Sequence, residues 1–252
     1  MIIDRLTLYA VCMLLCYAAY RFRWLTGGGS ISAFLMGAVF ISAGPATFLL
    51  PLVLLTGGTL LAKLNPEEKE HSGRNAAQVL ANGFTGTCCL LYFLIRGGSH
   101  AGDLDFVAYL IAFSISISDT FSSETGKYFR GRTVDILSLK PAPRGLSGAI
   151  SLQGSIGGLA GSTLSAILSY LVFDITLAMA GIILFCGFAG MLLDSVFGSA
   201  FQAKYKDEKG LVREHASLGY MLSKGFRWCT NDVVNFLSVT AVVVVWLLIR
   251  QG

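Results

Sequence analysis

Charge is scarce in this sequence. Of 252 residues only 13% are Asp, Glu, Lys or Arg, against about 25% in an ordinary soluble domain. Long stretches carry no charge at all, among them Ile31 to Ala62 and Ala149 to Phe173. A soluble core does not account for such runs, whereas a membrane-spanning helix needs roughly 20 apolar residues to cross about 30 Å of hydrocarbon. Histidine is sparse and scattered, with three residues in the chain. The six cysteines (Cys12, Cys16, Cys88, Cys89, Cys186 and Cys229) fall mostly inside apolar segments and form neither a CxxC pair nor a Cys/His cluster. That pattern argues against a zinc module or a disulfide framework and for small apolar packing residues. A Walker motif, a GxGxxG fingerprint and a Ser/His/Asp arrangement are all missing, as are fixed-period repeats. No small-residue cleavage site precedes Arg21, so the N-terminal apolar stretch reads as a first spanning helix rather than a signal peptide.

What the chain does have is a series of apolar segments, near residues 6–20, 31–44, 46–62, 75–95, 105–118, 148–173, 175–193 and 233–249. The run from Ile31 to Ala62 would make one helix about 48 Å long, well beyond the bilayer core. Gly44-Pro45 lies near its middle, and proline breaks the hydrogen-bond ladder there, so two shorter helices are expected. The fold class that follows is all-α: a polytopic integral membrane protein of about seven to eight transmembrane helices, forming a single transmembrane domain over residues 1–252. With eight segments, the loops around 21–30, 63–74, 119–147 and 194–231 share one face. They carry sixteen of the nineteen Lys and Arg residues, leaving Arg5, Arg96 and Arg250 on the other side. An excess of Lys and Arg marks cytoplasmic loops, so the main polar loops are expected on the cytoplasmic face.

The chemistry is concentrated in those loops. The segment Ser118 to Lys127 puts Asp119 and Glu124 at the end of an apolar helix, where a carboxylate is expensive unless paired or functional. Five residues apart on an ideal helix they point about 140° away from one another, though an interrupted helix end would bring both to one ion. Hard oxygen ligands of this kind suit Mg²⁺. The five cations Lys127, Arg130, Arg132, Lys140 and Arg144 follow and suit phosphate neutralisation; the plain alternative is cytosolic anchoring charge beside incidental acids. Asp194 closes another apolar run on the same face. Because a carboxylate at a helix C-terminal end opposes the dipole, it points toward function. Asp232, which opens the last helix, is explained by capping alone. Asn75, Gln78 and Asn82 lie at i, i+3 and i+7 behind Arg74 and form one polar stripe, serving either as glue between helices or as the edge of a site. Gly145 and Gly148 would admit phosphate to backbone amides. The spacing of Gly154, Gly157, Gly158 and Gly161 favours close helix packing in lipid.

Four motifs carry a resemblance. They are Arg74-Asn75-xx-Gln78-Val-xx-Asn82-Gly83, Ser118-Asp-Thr-xx-Ser-Glu-x-Gly126, Lys140-Pro-xx-Arg144-Gly-xx-Gly148 and Asp194-Ser195-xx-Gly198-xxx-Gln202. In this order, over about residues 70–235, the sequence resembles a polytopic membrane family that includes plant phytyl-phosphate kinase. More distantly it is similar to CTP-using phytol and dolichol kinases and CDP-lipid synthases. It departs from the family pattern at Ala149, where a second glycine is common, and around Cys229 to Asp232, which match loosely.

The resemblance implies transfer of the γ-phosphate of CTP to a membrane-bound isoprenyl monophosphate, with Mg²⁺ as cofactor. On that reading Asp119, Glu124 and Asp194 bind metal, and Asp119, Lys140 and Arg144 are catalytic. Arg74, Asn75, Gln78, Asn82, Ser123, Lys127, Arg130, Gly145, Ser195, Gln202, Asn231 and Asn235 bind substrate or nucleotide. The partners are CTP, the isoprenyl monophosphate and membrane lipids, with room for an oligomer and no role for nucleic acid. Two other readings use the same residues: a transporter or flippase for a lipid phosphate or small anion, and a scaffold whose basic loops hold anionic headgroups.

Overall fold

The computed structural model describes residues 5–65, 73–99, 101–129 and 131–251; Lys69 and Arg130 lie outside them. Eight α-helices account for most of it: α1 (Arg5–Arg21), α2 (Gly27–Ala43), α3 (Leu49–Leu64), α4 (Ala76–Ile95), α5 (Leu104–Tyr128), α6 (Leu152–Val172), α7 (Leu177–Ala200) and α8 (Asn231–Gln251). Six described helical segments are long and apolar enough to cross a membrane: Pro45–Leu64, Ala76–Ile95, Leu104–Tyr128, Leu152–Val172, Leu177–Ala200 and Asn231–Ile249. Helix α2 is apolar but shorter.

The sequence sets the helix ends. Gly44 adopts φ 123°, which suits a residue without Cβ, and Pro45 opens a short 3₁₀ turn before α3. The long apolar run therefore breaks in two where expected. Side-chain oxygens of Thr26, Ser151 and Thr176 accept from the amides of Gly29, Gly154 and Met179, capping α2, α6 and α7. Asn75 and Gln78 form a reciprocal capping box at the start of α4.

Helix α5 is the axis of the molecule. Every residue from Asp105 to Ser118 is buried, and α3, α4, α6, α7 and α8 all pack on it. Helix α1 sits at the periphery, its main contact being α2. Glycine brings α6 closest to α5: a Cβ at Gly157 would lie 2.6 Å from Thr125 Cβ, and one at Gly161 would lie 3.1 Å from Ile117 O. This is the small-residue packing that the glycine spacing indicated, and Ser118 Oγ adds a 2.8 Å bond to Gly158 O. Aromatic edges from Phe40, Phe106, Tyr109 and Phe113 fill the centre, and the Tyr109 hydroxyl donates to Thr47 O.

Two small sheets interrupt the loops, which hydropathy alone does not reveal. Strands β1 (Thr133–Asp135) and β2 (Ala149–Ser151) pair antiparallel. Strands β3 (Lys204–Lys206), β4 (Val212–Arg213) and β5 (Met221–Lys224) form a second sheet in the order β4-β3-β5. These loops lie together at one end of the bundle. The chain before α2 bonds to Arg74, with Thr26 N to Arg74 O at 3.0 Å and Arg74 N to Trp24 O at 2.9 Å. The β1–β2 loop meets the β3–β5 excursion where the Ser147 amide donates to Glu214. At the opposite end, Arg96 pairs with Asp105 and, at 3.4 Å, with Asp103.

Candidate functional site

The loop-bearing end gathers acidic residues from separate helices. Asp194 is buried on α7 and accepts a 2.8 Å hydrogen bond from Ser238 Oγ of α8. With its amide nitrogen turned toward them, Asn235 donates to Asn231 O at 3.0 Å and to Asp194 Oδ1 at 3.2 Å. In that orientation the carbonyl arm of the same amide faces Asn82 on α4, 3.5 Å from its Oδ1, without a hydrogen bond between the two oxygens. Asn82 is held in turn by its own Nδ2 to Gln78 O, 2.9 Å, and its carbonyl accepts from Ser116 Oγ of α5 at 2.7 Å. Asp119 follows on α5, within electrostatic reach of Asp194, Glu124 and Lys127. Polar groups from α4, α5, α7 and α8 thus converge across more than a hundred residues of sequence.

Glu124 takes a different place from the one its spacing offered. Helix α5 runs unbroken through Asp119 and Glu124 to Tyr128, so no interrupted end brings both carboxylates to one point. Glu124 is buried, with one oxygen 3.1 Å from Lys127 Nζ and the other, Oε2, without a protein partner. Its charge also acts on Arg74. Among the described residues no group of three or more His, Cys, Asp or Glu surrounds a single point. Mg²⁺ at a phosphate-transfer site commonly takes one or two carboxylates plus substrate phosphates, and Asp119 has both Asp194 and Glu124 within electrostatic reach.

Arg74 enters from the chain before α4. Its Nη1 donates to Leu54 O at 3.1 Å, and the guanidinium lies where any side chain at Gly58 would stand. Burial lowers its proton affinity, and the charge of Glu124 works the other way. Asn75 and Gln78 spend hydrogen bonds on the helix cap, while Gln78 and Asn82 also line a cavity beside Arg74.

The remaining expected residues divide between this site and the loops around it. Ser123 is exposed and bonds back to Thr120 O at 3.0 Å. The Lys140 side chain is exposed, Arg144 is half-buried, and Arg130 lies outside the described residues. Gly145, at φ 76°, turns this loop beside α5, where its Cβ would lie 3.8 Å from Lys127 Cγ. Ser195 is half-buried next to Asp194, and Asn231 opens α8. Gln202 is buried with its Oε1 unpartnered.

A second polar cluster escaped sequence reading. Asp135 accepts from Ser199 Oγ at 2.6 Å and from the amide and hydroxyl of Ser138 at 2.8 and 2.9 Å. Burial opposes its charge, but these bonds and the charge of Lys224 outweigh it and hold the carboxyl down at about 2. Lys224 Nζ lies 3.5 Å from Ser199 Oγ. Lys204 is buried, its proton affinity lowered by desolvation and by Lys224 and supported by Asp135 and Glu214. Gly148, at φ 81°, lets this loop sit against Ser199, 2.6 Å from the backbone for any added Cβ. Buried lysine is rare unless paired, but no spacing rule links Asp135 to residues 64 to 89 positions away.

Comparison with known proteins gives relatives of the same length scale but no structural counterpart. The chain is 29% identical to Protein VTE6, chloroplastic, of Arabidopsis thaliana over 90% of its own length and 66% of that protein, so it spans slightly less than two thirds of that relative. It is 29% identical to the uncharacterized membrane protein sll0875 of Synechocystis, over 86% of this chain and 79% of the relative. A Methanocaldococcus jannaschii membrane protein, MJ0933, also uncharacterized, is 28% identical over 84% of this chain and 88% of its own. No solved structure matches. Residues 10–243 match the family described as integral membrane protein DUF92, and the chain belongs to that family.

Proposed function

We propose that this protein is a prenyl-phosphate kinase that uses CTP and Mg²⁺ at the cytoplasmic surface of a membrane. The observation that carries the reading is that Asp119 and Asp194, on two different helices, lie within electrostatic reach of one another at the end of the bundle that bears nearly all the basic loops. Phosphoryl transfer asks a protein mainly to position reactants and stabilise charge. In the proposed reaction an oxygen of the lipid monophosphate attacks the γ-phosphorus of CTP. The bond from that phosphorus to the bridging oxygen breaks, giving the lipid diphosphate and CDP. Asp119 and Asp194 would hold the Mg²⁺ that accompanies the nucleotide and offsets phosphate charge. Lys127, Lys140 and Arg144, joined by Lys204 and Lys224, would receive the phosphates. Ser238 and Asn235 orient Asp194 through hydrogen bonds rather than through a cation, so no ion pair would compete with the metal for it.

The family resemblance of the four motifs supports the lipid monophosphate as acceptor, and the excess of Lys and Arg supports the cytoplasmic placement. The test is direct. Purified protein in lipid–detergent micelles receives Mg²⁺, γ-labelled CTP and prenyl monophosphates. Label is expected in a prenyl diphosphate, and Asp119→Asn should reduce its formation at least about a hundredfold without impairing membrane insertion. Nucleotide-independent movement of lipid phosphate across liposomes, with no labelled product, would instead establish a flippase.

A further inference from the structure

Beside Arg74 the bundle encloses a cavity of about 370 Å³, walled by α1, α2, α3, α4 and α5. Its body is apolar, with Leu15, Met36, Phe40, Leu55 and Phe113 among its walls. Its polar groups are few, chiefly Arg74 just before α4, Gln78 and Asn82 on its first turns, and Trp24, whose backbone pairs with that of Arg74. The Trp24 Nε1–H is buried without a hydrogen-bond partner, and an unpaired buried donor favours a ligand that can accept from it. Wall residues Leu15, Phe22 and Leu52 are themselves exposed, so the cavity opens sideways through the flank that faces lipid. At the other limit Asn82 lies beside the acidic site, its side chain 3.5 Å from that of Asn235, which adjoins Asp194.

We infer that this cavity holds the chain of one prenyl monophosphate, with the phosphate on Arg74 and the Trp24 N–H and its reacting oxygen directed past Asn82 toward Asp119 and Asp194. An apolar body with one cationic pole is complementary to a single-chain lipid with an anionic head. The volume lies low in the range of small-molecule sites, about 300–1,000 Å³, which suits one chain rather than the paired chains of a membrane phospholipid. The lateral opening admits the chain from the bilayer, and the nucleotide reaches the head from water. Prenyl rather than acyl character rests on the kinase reading above. The cavity walls then set the accepted chain length, because added side-chain volume removes space for the distal isoprene units.

Binding is measured without nucleotide on the full chain in micelles, using geranylgeranyl monophosphate, geranyl monophosphate, geranylgeraniol and lysophosphatidic acid. Ala33→Phe, which fills the cavity wall, should weaken geranylgeranyl monophosphate at least about tenfold and spare geranyl monophosphate. Arg74→Gln should erase the preference for the monophosphate over geranylgeraniol. A prenyl monophosphate with a photoreactive chain terminus should label α1, α2 or α3 in the unmodified protein, which needs no variant to fold. Labelling confined to α6 and α7, unchanged binding in Ala33→Phe, or equal binding of the alcohol by the unmodified protein overturns the inference. Equal binding of lysophosphatidic acid overturns its prenyl character. Selective binding without any phosphoryl transfer leaves this site standing and removes the kinase reading alone.

Discussion

Asp194 is a buried carboxyl held by hydrogen bonds from a neighbouring helix. It sits in the wall of an apolar helix, yet its partners are a hydroxyl and an amide rather than a lysine or arginine. A salt bridge would occupy it; hydrogen bonds orient the carboxyl without an ion-pair partner. Asp194→Asn keeps a group that accepts from Ser238 and removes the charge, so turnover should fall at least about a hundredfold while thermal stability changes little. Ser238→Ala should cost much less activity, because Asn235 remains. Asp135 makes a different prediction. Its carboxyl is held at about 2 in the folded protein, below the ordinary value of about 3.9. A depressed value means that Asp135 contributes stability above about pH 4 and loses it as the pH falls toward 2. Asp135→Asn should therefore loosen the β1–β2 loop at neutral pH and make no difference at the acid end, as read by hydrogen exchange over residues 133–151. In the sequence Asp194 stood out as the charge closing an apolar run, but α7 continues past it to Ala200, so it lies buried within the helix rather than at a C-terminal end. Its partnership with Ser238 was not legible, because serine in an apolar helix is common and the pairing forms only when α7 and α8 pack.

At the scale of elements, the central feature is α5 lying against a glycine face of α6. Gly157→Leu would drive a side chain into Thr125 and the Phe121 carbonyl, and overpacking of this kind costs about 1–3 kcal/mol. A lower melting temperature in micelles is expected, with Gly181→Leu, on open surface of α7, as the matched control. Glycine spacing identified this interface in the sequence because close helix approach in lipid has few other chemical solutions. The break at Gly44-Pro45 was equally legible, since proline and a left-handed glycine act locally. The length of α5 was not: polarity after Ser118 looked like an ending, but burial against α6 and α7 carries the helix ten residues farther, to Tyr128. The strands at Thr133–Asp135 and Ala149–Ser151 are too short to show a period and exist through pairing with each other.

For the whole molecule, hydropathy and charge asymmetry revealed the bundle and its two ends, whereas the cavity depends on how five helices meet. The loop-rich end and the Arg96 end should lie on opposite sides of the membrane. In a cysteine-free background Lys140→Cys and Gly97→Cys should be labelled from opposite faces by a membrane-impermeant thiol reagent, the former from the cytoplasm; labelling of both from one side contradicts the topology. With that geometry, a lipid phosphate from the bilayer and a nucleotide from water meet where α4, α5, α7 and α8 converge. The most direct test is transfer of label from γ-labelled CTP to geranylgeranyl monophosphate by the purified protein, run beside Asp119→Asn and Asp194→Asn. The account predicts labelled diphosphate from the unmodified protein and next to none from either variant. Undiminished transfer by both variants would contradict it.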